Sequence, residues 1–227
     1  MPVLLLLKHS VAQSNVTYSP TDEQNIVSSD RLNKDSIPPQ PIAQSIITFD
    51  ASQVFSTFKY IDSQGNKLKD LERNVTTATS VGYHYLLPNG LFIRVNTGTR
   101  KAGASFVYNE TIVSWDVQYM DANVGLGYIH NKWKFKPYFS ASPYFAYMLK
   151  ANQTIGFDNY DIKKDKSVST SDFGIFLSPG VRMALAKRIS LYAEYKYILG
   201  LQDIEKSATE TLFNRGFSFH LGLSLAI

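Results

Sequence analysis

The sequence predicts an all-β fold, an eight-stranded antiparallel up-and-down transmembrane β-barrel, and three observations support this prediction. Beyond about residue 75, apolar side chains recur at every second position, as they do along strands whose two faces meet different surroundings. The segments between these strands are alternately short and long, which is typical of outer-membrane barrels with periplasmic turns and external loops. No stretch reaches the roughly 18 to 20 apolar residues that a spanning helix needs.

The first 48 residues differ in composition from the rest. Residues 1–12 hold a short apolar run followed by Ser10, Val11 and Ala12, which predicts an atypical or truncated signal peptide. Residues 13–48 are polar, rich in Ser and Asn and contain clustered prolines, so we expect a flexible periplasmic tether. The barrel is expected over residues 49–227.

The strands follow one another as hairpins. A first strand near residues 50–60 has the weakest alternation, and the next two flank a tight turn at Pro88, Asn89 and Gly90. The remaining predicted strands are 113–128, 133–149, 173–185, 189–199 and 217–227. In the strand from 113 the apolar phase changes between Tyr119 and Met120, which predicts a β-bulge there. The long connections are predicted near 61–74, 102–111, 150–171 and 201–213.

The two faces of these strands carry different residue types. The polar face mixes small residues with long charged ones, which predicts a hydrated lumen plugged by a charge network of Arg94, Lys134, Lys136, Arg182, Glu194 and Lys196. The apolar face is aliphatic or Phe in its middle, and its outer aromatics predict lipid-interface girdles formed by Tyr83, Tyr85, Tyr128, Trp133, Tyr147, Tyr195 and Tyr197. A soluble lipocalin-like barrel that binds an apolar ligand is the alternative, because alternation alone does not say which face points outward.

Composition and motifs narrow the chemistry. The chain has no Cys, which excludes disulfides and thiolate metal sites, and its net charge of +4 is not gathered into a basic patch, so no nucleic-acid partner is expected. The His and carboxylate spacing predicts neither a metal site nor a cofactor. Ser218 lies beside His220 on the inner face, but no nearby carboxylate is expected to complete a triad. We therefore predict no catalytic residues and no enzyme.

Several stretches resemble a known family. The segments "KPYFSASPYFAYML", "DFGIFLSPGVRMAL", "LSLYAEYKYILGLQDI" and "NRGFSFHLGLSL" are similar to the PorT-like outer-membrane β-barrel domains of Bacteroidota over residues 50–227. The resemblance implies an eight-stranded barrel in the outer membrane, inserted by the barrel assembly machinery. It implies no defined activity, and the secretion link of the name-giving member does not transfer residue by residue.

The expected function follows from the fold. We expect an integral outer-membrane barrel with a side-chain-plugged lumen that acts as a structural or interaction scaffold through its external loops. Its expected partners are outer-membrane lipid and lipopolysaccharide, the barrel assembly machinery, and envelope or secretion proteins. The alternatives are an envelope enzyme acting on lipid A, a secretion-linked barrel factor, and the soluble lipocalin-like barrel.

Overall fold

A computed structural model describes residues 43–67, 71–108, 110–164, 168–206 and 209–227. Within these residues the regular structure is entirely β, in nine strands. The strands are β1 (Gln44–Ile61), β2 (Glu72–Leu86), β3 (Leu91–Tyr108), β4 (Thr111–Ile129), β5 (Phe135–Ile155), β6 (Asp158–Asp161), β7 (Ser171–Ala184), β8 (Ile189–Gly200) and β9 (Thr211–Ala226). The same part of the chain contains no helix long and apolar enough to cross a membrane.

Eight of these strands close into a ring. Each long strand pairs antiparallel with its neighbours in the chain, β4 pairs with β5, and β1 pairs with β9 from Ile46 opposite Ala226 to Ile61 opposite Thr211. The short β6 pairs only with the end of β5, so it extends a loop and does not belong to the ring. The predicted eight-stranded up-and-down barrel is confirmed.

The connections divide the barrel into two ends. The short-turn end holds the links at 87–90, 130–134 and 185–188, and in the first of them Gly90 has a φ of 89°, a left-handed conformation that suits glycine. The long-loop end holds the links at 62–71, 109–110, 156–170 and 201–210. The predicted long loop at 102–111 is wrong, because β3 and β4 stay paired as far as Tyr108 opposite Thr111.

The orientation of the side chains decides between membrane and soluble barrels. The outer surface of the described strands exposes large apolar residues, among them Leu126 (69% exposed) and Leu221 (60%). The buried inward positions are largely polar or charged in the half of the barrel next to the short turns. A lipocalin has the reverse arrangement, with an apolar interior and a wet exterior, so that alternative is wrong for this chain.

The interior changes character toward the long-loop end. Val117 and Tyr119 of β4 join a buried apolar cluster that includes Phe58, Met148 and Ile204, and Trp115 packs against it. At the same level the outer surface carries exposed side chains, including Lys101, Asp116 and Lys150. This part of the barrel has its apolar side chains inside, as a water-exposed barrel does.

The bulge predicted in β4 is wrong, and the change in the interior explains the sequence pattern that suggested it. The register between β3 and β4 is unbroken, and the inward positions of β4 keep one parity from Val113 to Gly125. The apparent change of phase at Tyr119 arises because apolar residues face inward on its long-loop side and outward on the other. A register shift does occur beside Tyr119, but in the ladder with β5, where Gln118 pairs with Lys150 and Tyr119 with Met148, so the extra residue is in β5.

The start of the barrel also differs from the prediction. β1 begins at Gln44, so the last residues of the segment predicted as a tether belong to the first strand. These residues pair with the ends of β2 and β9, for example Ile47 with Tyr83 and Leu225. The predicted signal peptide at 1–12 and most of the predicted tether lie outside the described residues.

Candidate functional site

A buried cluster of charges crosses the middle of the barrel. Glu194 on β8 accepts a hydrogen bond from Arg94 on β3, with 2.7 Å between Arg94 Nη1 and Glu194 Oε2. Tyr138 on β5 donates to the same oxygen at 3.0 Å, and Lys196 Nζ lies 3.6 Å from Glu194 Oε1. Because β3 and β8 are not neighbours in the ring, this ion pair spans the lumen. The arrangement places one carboxylate between two cations in the interior of the barrel.

A second charge cluster lies nearer the long-loop end. Arg100 Nε donates to Asp121 Oδ2 at 3.0 Å, and Arg100 Nη2 lies 3.8 Å from Asp172 Oδ2. Asp172 also accepts from the Tyr144 hydroxyl and from Asn214 Nδ2, both at 2.8 Å. The sequence analysis did not assign Arg100 to the interior because it followed this strand only as far as residue 99. The inward alternation that contains Arg94 continues through Arg100 and is the signal that could have found it.

The third polar cluster contains a Ser, a His and an Asp. Ser218 Oγ lies 2.8 Å from His220 Nε2, and His220 Nδ1 lies 2.7 Å from Asp50 Oδ1. The expectation that no carboxylate orients His220 is therefore wrong. Asp50 is remote in sequence, but β1 pairs with β9 at barrel closure and brings the carboxylate beside the ring.

The surroundings of this trio differ from those of a hydrolase site. Asp50 Oδ2 also accepts from Ser80 Oγ at 2.6 Å and from the Tyr192 hydroxyl at 2.8 Å. The cavity beside Ser218 and His220 measures about 30 Å³, whereas small-molecule sites measure about 300 to 1,000 Å³. An acyl substrate therefore has no room next to the serine hydroxyl, and in this conformation the trio is a satisfied buried polar cluster.

The predicted lumen residues occupy different places. Arg94, Glu194 and Lys196 meet in the central cluster. Arg182 lies nearer the short-turn end, where its Nη2 is 3.2 Å from His84 Nδ1, and no carboxylate of the described residues forms an ion pair with it. Lys136 is half-buried at the start of β5, and Lys134 is exposed in the preceding turn, so Lys134 does not belong to the interior.

The predicted girdle aromatics lie on the outside of the strands or in a turn. Tyr83, Tyr85, Tyr128 and Trp133 are exposed near the short turns, while Tyr147 and Tyr197 are exposed farther along their strands. Tyr195 is half-buried and stacks on Phe217, with 5.6 Å between the ring centroids. Contact of these rings with lipid headgroups stays a prediction.

A wide cavity opens at the long-loop end of the barrel. It measures about 680 Å³. Its walls are mainly apolar and aromatic, and it is lined by Tyr60, Phe106, Val113, Trp115, Gln153, Ile155, Ile162, Val168, Glu205 and Glu210. We call it the long-loop cleft. Its size is within the range of small-molecule sites, which is about 300 to 1,000 Å³.

Metal-binding side chains do not gather into groups of three or more within the described residues. The polar groups of the interior are instead hydrogen-bonded mainly to one another.

Comparison with known proteins agrees with the architecture. Residues 45–224 match the family model described as the outer membrane protein beta-barrel domain. No curated protein matches the chain. Among solved structures, the outer membrane protein OprG from Pseudomonas aeruginosa aligns with a TM-score of 0.51 at 10% identity, covering 83% of this chain and 97% of OprG. That likeness shows the fold alone.

Two further solved barrels align less closely. The attachment invasion locus protein Ail of Yersinia pestis has a TM-score of 0.45 at 14% identity, covering 82% of this chain and 99% of Ail. Neisserial surface protein A has a TM-score of 0.45 at 17% identity, covering 81% of this chain and 98% of that protein.

Proposed function

The chain belongs to the outer membrane protein beta-barrel domain family and is an integral outer-membrane protein, and from this premise we propose that it is a non-conducting barrel that acts as a scaffold through its long-loop end. The contact between Arg94 and Glu194 across the lumen carries the proposal. Both residues are almost fully buried, at 4% and 3% exposed. A barrel of about eight strands has an interior only wide enough for side chains to fill, so paired charges there leave no aqueous path.

The scaffold part of the proposal rests on the long-loop end. The long-loop cleft lies there, and its lining residues Ile162 and Val168 also belong to the buried apolar cluster. Its aromatic walls, formed in part by Trp115 and Phe106, offer apolar surface, and Gln153 and Glu210 add polar groups. A partner or lipid recognised by this end would include an apolar group.

Conductance tests the closed lumen. Wild-type protein reconstituted in a planar bilayer should give no porin-like current, whereas Glu194→Gln combined with Arg94→Gln should give more frequent open events because the ion pair is gone. The matched control is Glu72→Gln, which changes an exposed carboxylate at the start of β2. Steady porin-like current through the wild type would overturn the proposal.

We extend the proposal to the absence of catalysis. The serine of the Ser218, His220 and Asp50 trio is 1% exposed and faces a cavity of about 30 Å³, so a serine-reactive fluorophosphonate should not label the folded protein. The lipid A profile of cells with and without the protein should also be unchanged. Labelling that Ser218→Ala abolishes would favour the envelope-enzyme alternative instead.

We also propose that the chain is a PorT-like barrel of Bacteroidota. The barrel assembly machinery would insert it, and its outer surface would contact lipopolysaccharide. A secretion-linked role is the alternative on the same scaffold. Deleting the gene and measuring the proteins exported to the culture medium separates the two, because a scaffold without a secretion role leaves the exported set unchanged.

A further inference from the structure

The short-turn end of the barrel contains a cavity of about 190 Å³ with an unusual set of charges. Its charged lining residues are Lys136, Arg182, Lys187 and Arg188, and no Asp or Glu side chain of the described residues lines it. Polar side chains complete the wall, including Ser190 and Ser224. The turns at this end add further cations, so any anion that approaches meets a positive potential.

Two of these cations face each other directly across a pair of strands. Lys136 of β5 is the register partner of Arg182 of β7. Like charges at directly opposite positions of an antiparallel pair repel and destabilise the pairing. Both side chains line the wall of the cavity. An anion bound between them would attract both cations and offset their mutual repulsion.

Arg182 is the most informative member of the set. It is only 9% exposed, yet its Nε has no hydrogen-bond partner within the described residues. Among the described residues, its side chain forms a hydrogen bond from Nη2 to His84 Nδ1, and an imidazole nitrogen that accepts a hydrogen bond brings no negative charge. The Tyr138 ring lies 6.0 Å from the guanidinium carbon. A buried guanidinium with an unused donor is costly unless an acceptor meets it.

We propose that this cavity is a binding site for a phosphate-type oxyanion, held by Arg182 and Lys136 and screened at the rim by Lys187 and Arg188. A planar guanidinium matches the paired oxygens of a phosphate group, and an ammonium adds a point charge opposite it. The cavity volume of about 190 Å³ is well above the 10 to 15 Å³ or so that a single water needs, so a tetrahedral oxyanion has room there. The site is independent of the long-loop cleft and of the scaffold function.

The phosphate group has two sources at this end of the barrel. It can belong to a phospholipid headgroup of the adjacent leaflet or to a free soluble phosphate. The chemistry of recognition is the same for both, so the experiment needs one arm for each source.

The soluble arm uses full-length protein in an uncharged detergent. The thermal unfolding midpoint is compared in sodium phosphate and in sodium chloride at equal ionic strength, and phosphate binding is followed directly by ³¹P NMR. Phosphate should raise the wild-type midpoint, because a ligand that binds only the folded state stabilises it. Arg182→Gln should keep the wild-type midpoint in chloride or exceed it, and should bind phosphate about tenfold or more weakly, since a charged hydrogen bond is lost.

A second variant and a control separate loss of phosphate binding from misfolding of the barrel. Lys136→Gln changes a half-buried residue at the mouth and should weaken phosphate binding while leaving the packed interior intact. Lys150→Gln removes an exposed cation of β5 on the long-loop side and should respond to phosphate as the wild type does.

The lipid arm uses nanodiscs of phosphatidylcholine with and without phosphatidylglycerol. A stabilisation by phosphatidylglycerol that Arg182→Gln and Lys136→Gln lose, without a matching effect of free phosphate, assigns the site to a headgroup. An effect of free phosphate that the same variants lose assigns it to a soluble anion. If wild type, Arg182→Gln and Lys150→Gln respond equally in both arms, the proposal is overturned.

Discussion

Glu194 is the residue on which the central charge cluster depends. It is the carboxylate within ion-pair distance of both Arg94 and Lys196, and it also accepts from Tyr138. A buried ion pair contributes little net stability, because the cost of desolvating both charges offsets their attraction. Loss of one partner is different, since the other charge then stays buried without compensation.

We expect Glu194→Gln to lower the free energy of unfolding in detergent, by up to about 3 to 5 kcal/mol, because Arg94 and Lys196 lose their common carboxylate. Combining it with Arg94→Met should recover part of the loss. Denaturant unfolding followed by tryptophan fluorescence measures both variants. Glu72→Gln, at an exposed site, should change the free energy of unfolding by no more than about 0.5 kcal/mol. Wild-type stability of the single mutant would mean that water in the lumen solvates each charge separately.

Asp62 gives a residue-scale prediction in water, outside the membrane-spanning strands. Its carboxylate accepts from the backbone N–H groups of Asn66 at 2.8 Å and Gln64 at 2.9 Å. The hydrogen bond from the Asn66 backbone is the main cause of a pKa below the ordinary value of 3.8 for Asp62. A lowered pKa favours the ionised carboxylate in the folded turn, so this stabilisation is present above pH 3.8 and is lost as the pH falls through the lowered pKa.

The amide proton shifts of Gln64 and Asn66 in micelles should therefore hold steady from neutral pH to about 4 and change below the ordinary Asp pKa of about 3.9. In Asp62→Asn the same shifts should no longer titrate. A midpoint at or above the ordinary value in the wild type would show that the turn does not bind the carboxylate in solution.

At the scale of elements, a single strand such as β4 lies partly against lipid and partly in water. In β4 the outward residues Val124 and Leu126 are apolar, whereas the outward Asp116, farther toward the long loops, is charged and exposed. The inward residues change in the opposite sense, from Asn123 and Asp121 to Val117. A strand of 19 residues is longer than the 9 to 11 residues or so that cross a bilayer, so its remainder stands in water with its apolar residues inside.

This length predicts where protease reaches the folded protein. Lys164 follows β6 at the long-loop end with 84% of its side chain exposed, and Lys163 precedes it. Lys150 lies within β5 and pairs with Gln118, so its backbone is protected. Trypsin added to intact cells should cut after Lys163 or Lys164 and spare Lys150 and the turn that contains Lys187.

The control variant for this experiment replaces Lys163, Lys164 and Lys166 with Gln and should lose the cleavage that follows β6. Cleavage after Lys187 or Arg188 should need a permeabilised outer membrane. If the turn residues are cut first in intact cells, the barrel has the opposite orientation.

At the scale of the molecule, closure removes the exposed edges of the sheet. The ladder between β1 and β9 runs over most of both strands, so their backbone groups are paired within the ring. The apolar outer surface needs lipid or detergent, and the closed backbone ladder resists unfolding by detergent because its strands have no free edge.

We therefore expect heat-modifiable migration, in which the unboiled protein runs as a compact barrel on a detergent gel and the boiled protein runs at its full mass. Ala51→Pro removes a donor in β1, next to the closing strand, and should lower the temperature at which the compact band disappears. Ala51→Gly retains the backbone N–H and should convert much nearer the wild-type temperature. Identical behaviour of the Pro variant would show that the ladder between β1 and β9 does not limit unfolding.

The sequence by itself determined the fold class and, for most strands, the side that faces outward. The reason is local, since alternation at every second residue and the turn at Pro88 to Gly90 act within a few positions of the chain. Arg94, Glu194 and Lys196 could be assigned to the interior in the same way. The segment 102–111 was wrongly predicted as a loop. Strand segments that extend beyond the bilayer have the same polar composition as a loop, so composition does not separate the two.

Only the tertiary structure decided which charges meet. Arg182 lies on β7, next to the strand that carries Glu194, but it is Arg94 that reaches the carboxylate from β3 across the lumen. In the same way Asp50 meets His220 because the first strand closes on the last. These contacts depend on the diameter of the ring and on its closure, which bring together residues about 100 to 170 positions apart, and no local pattern in the chain records that distance.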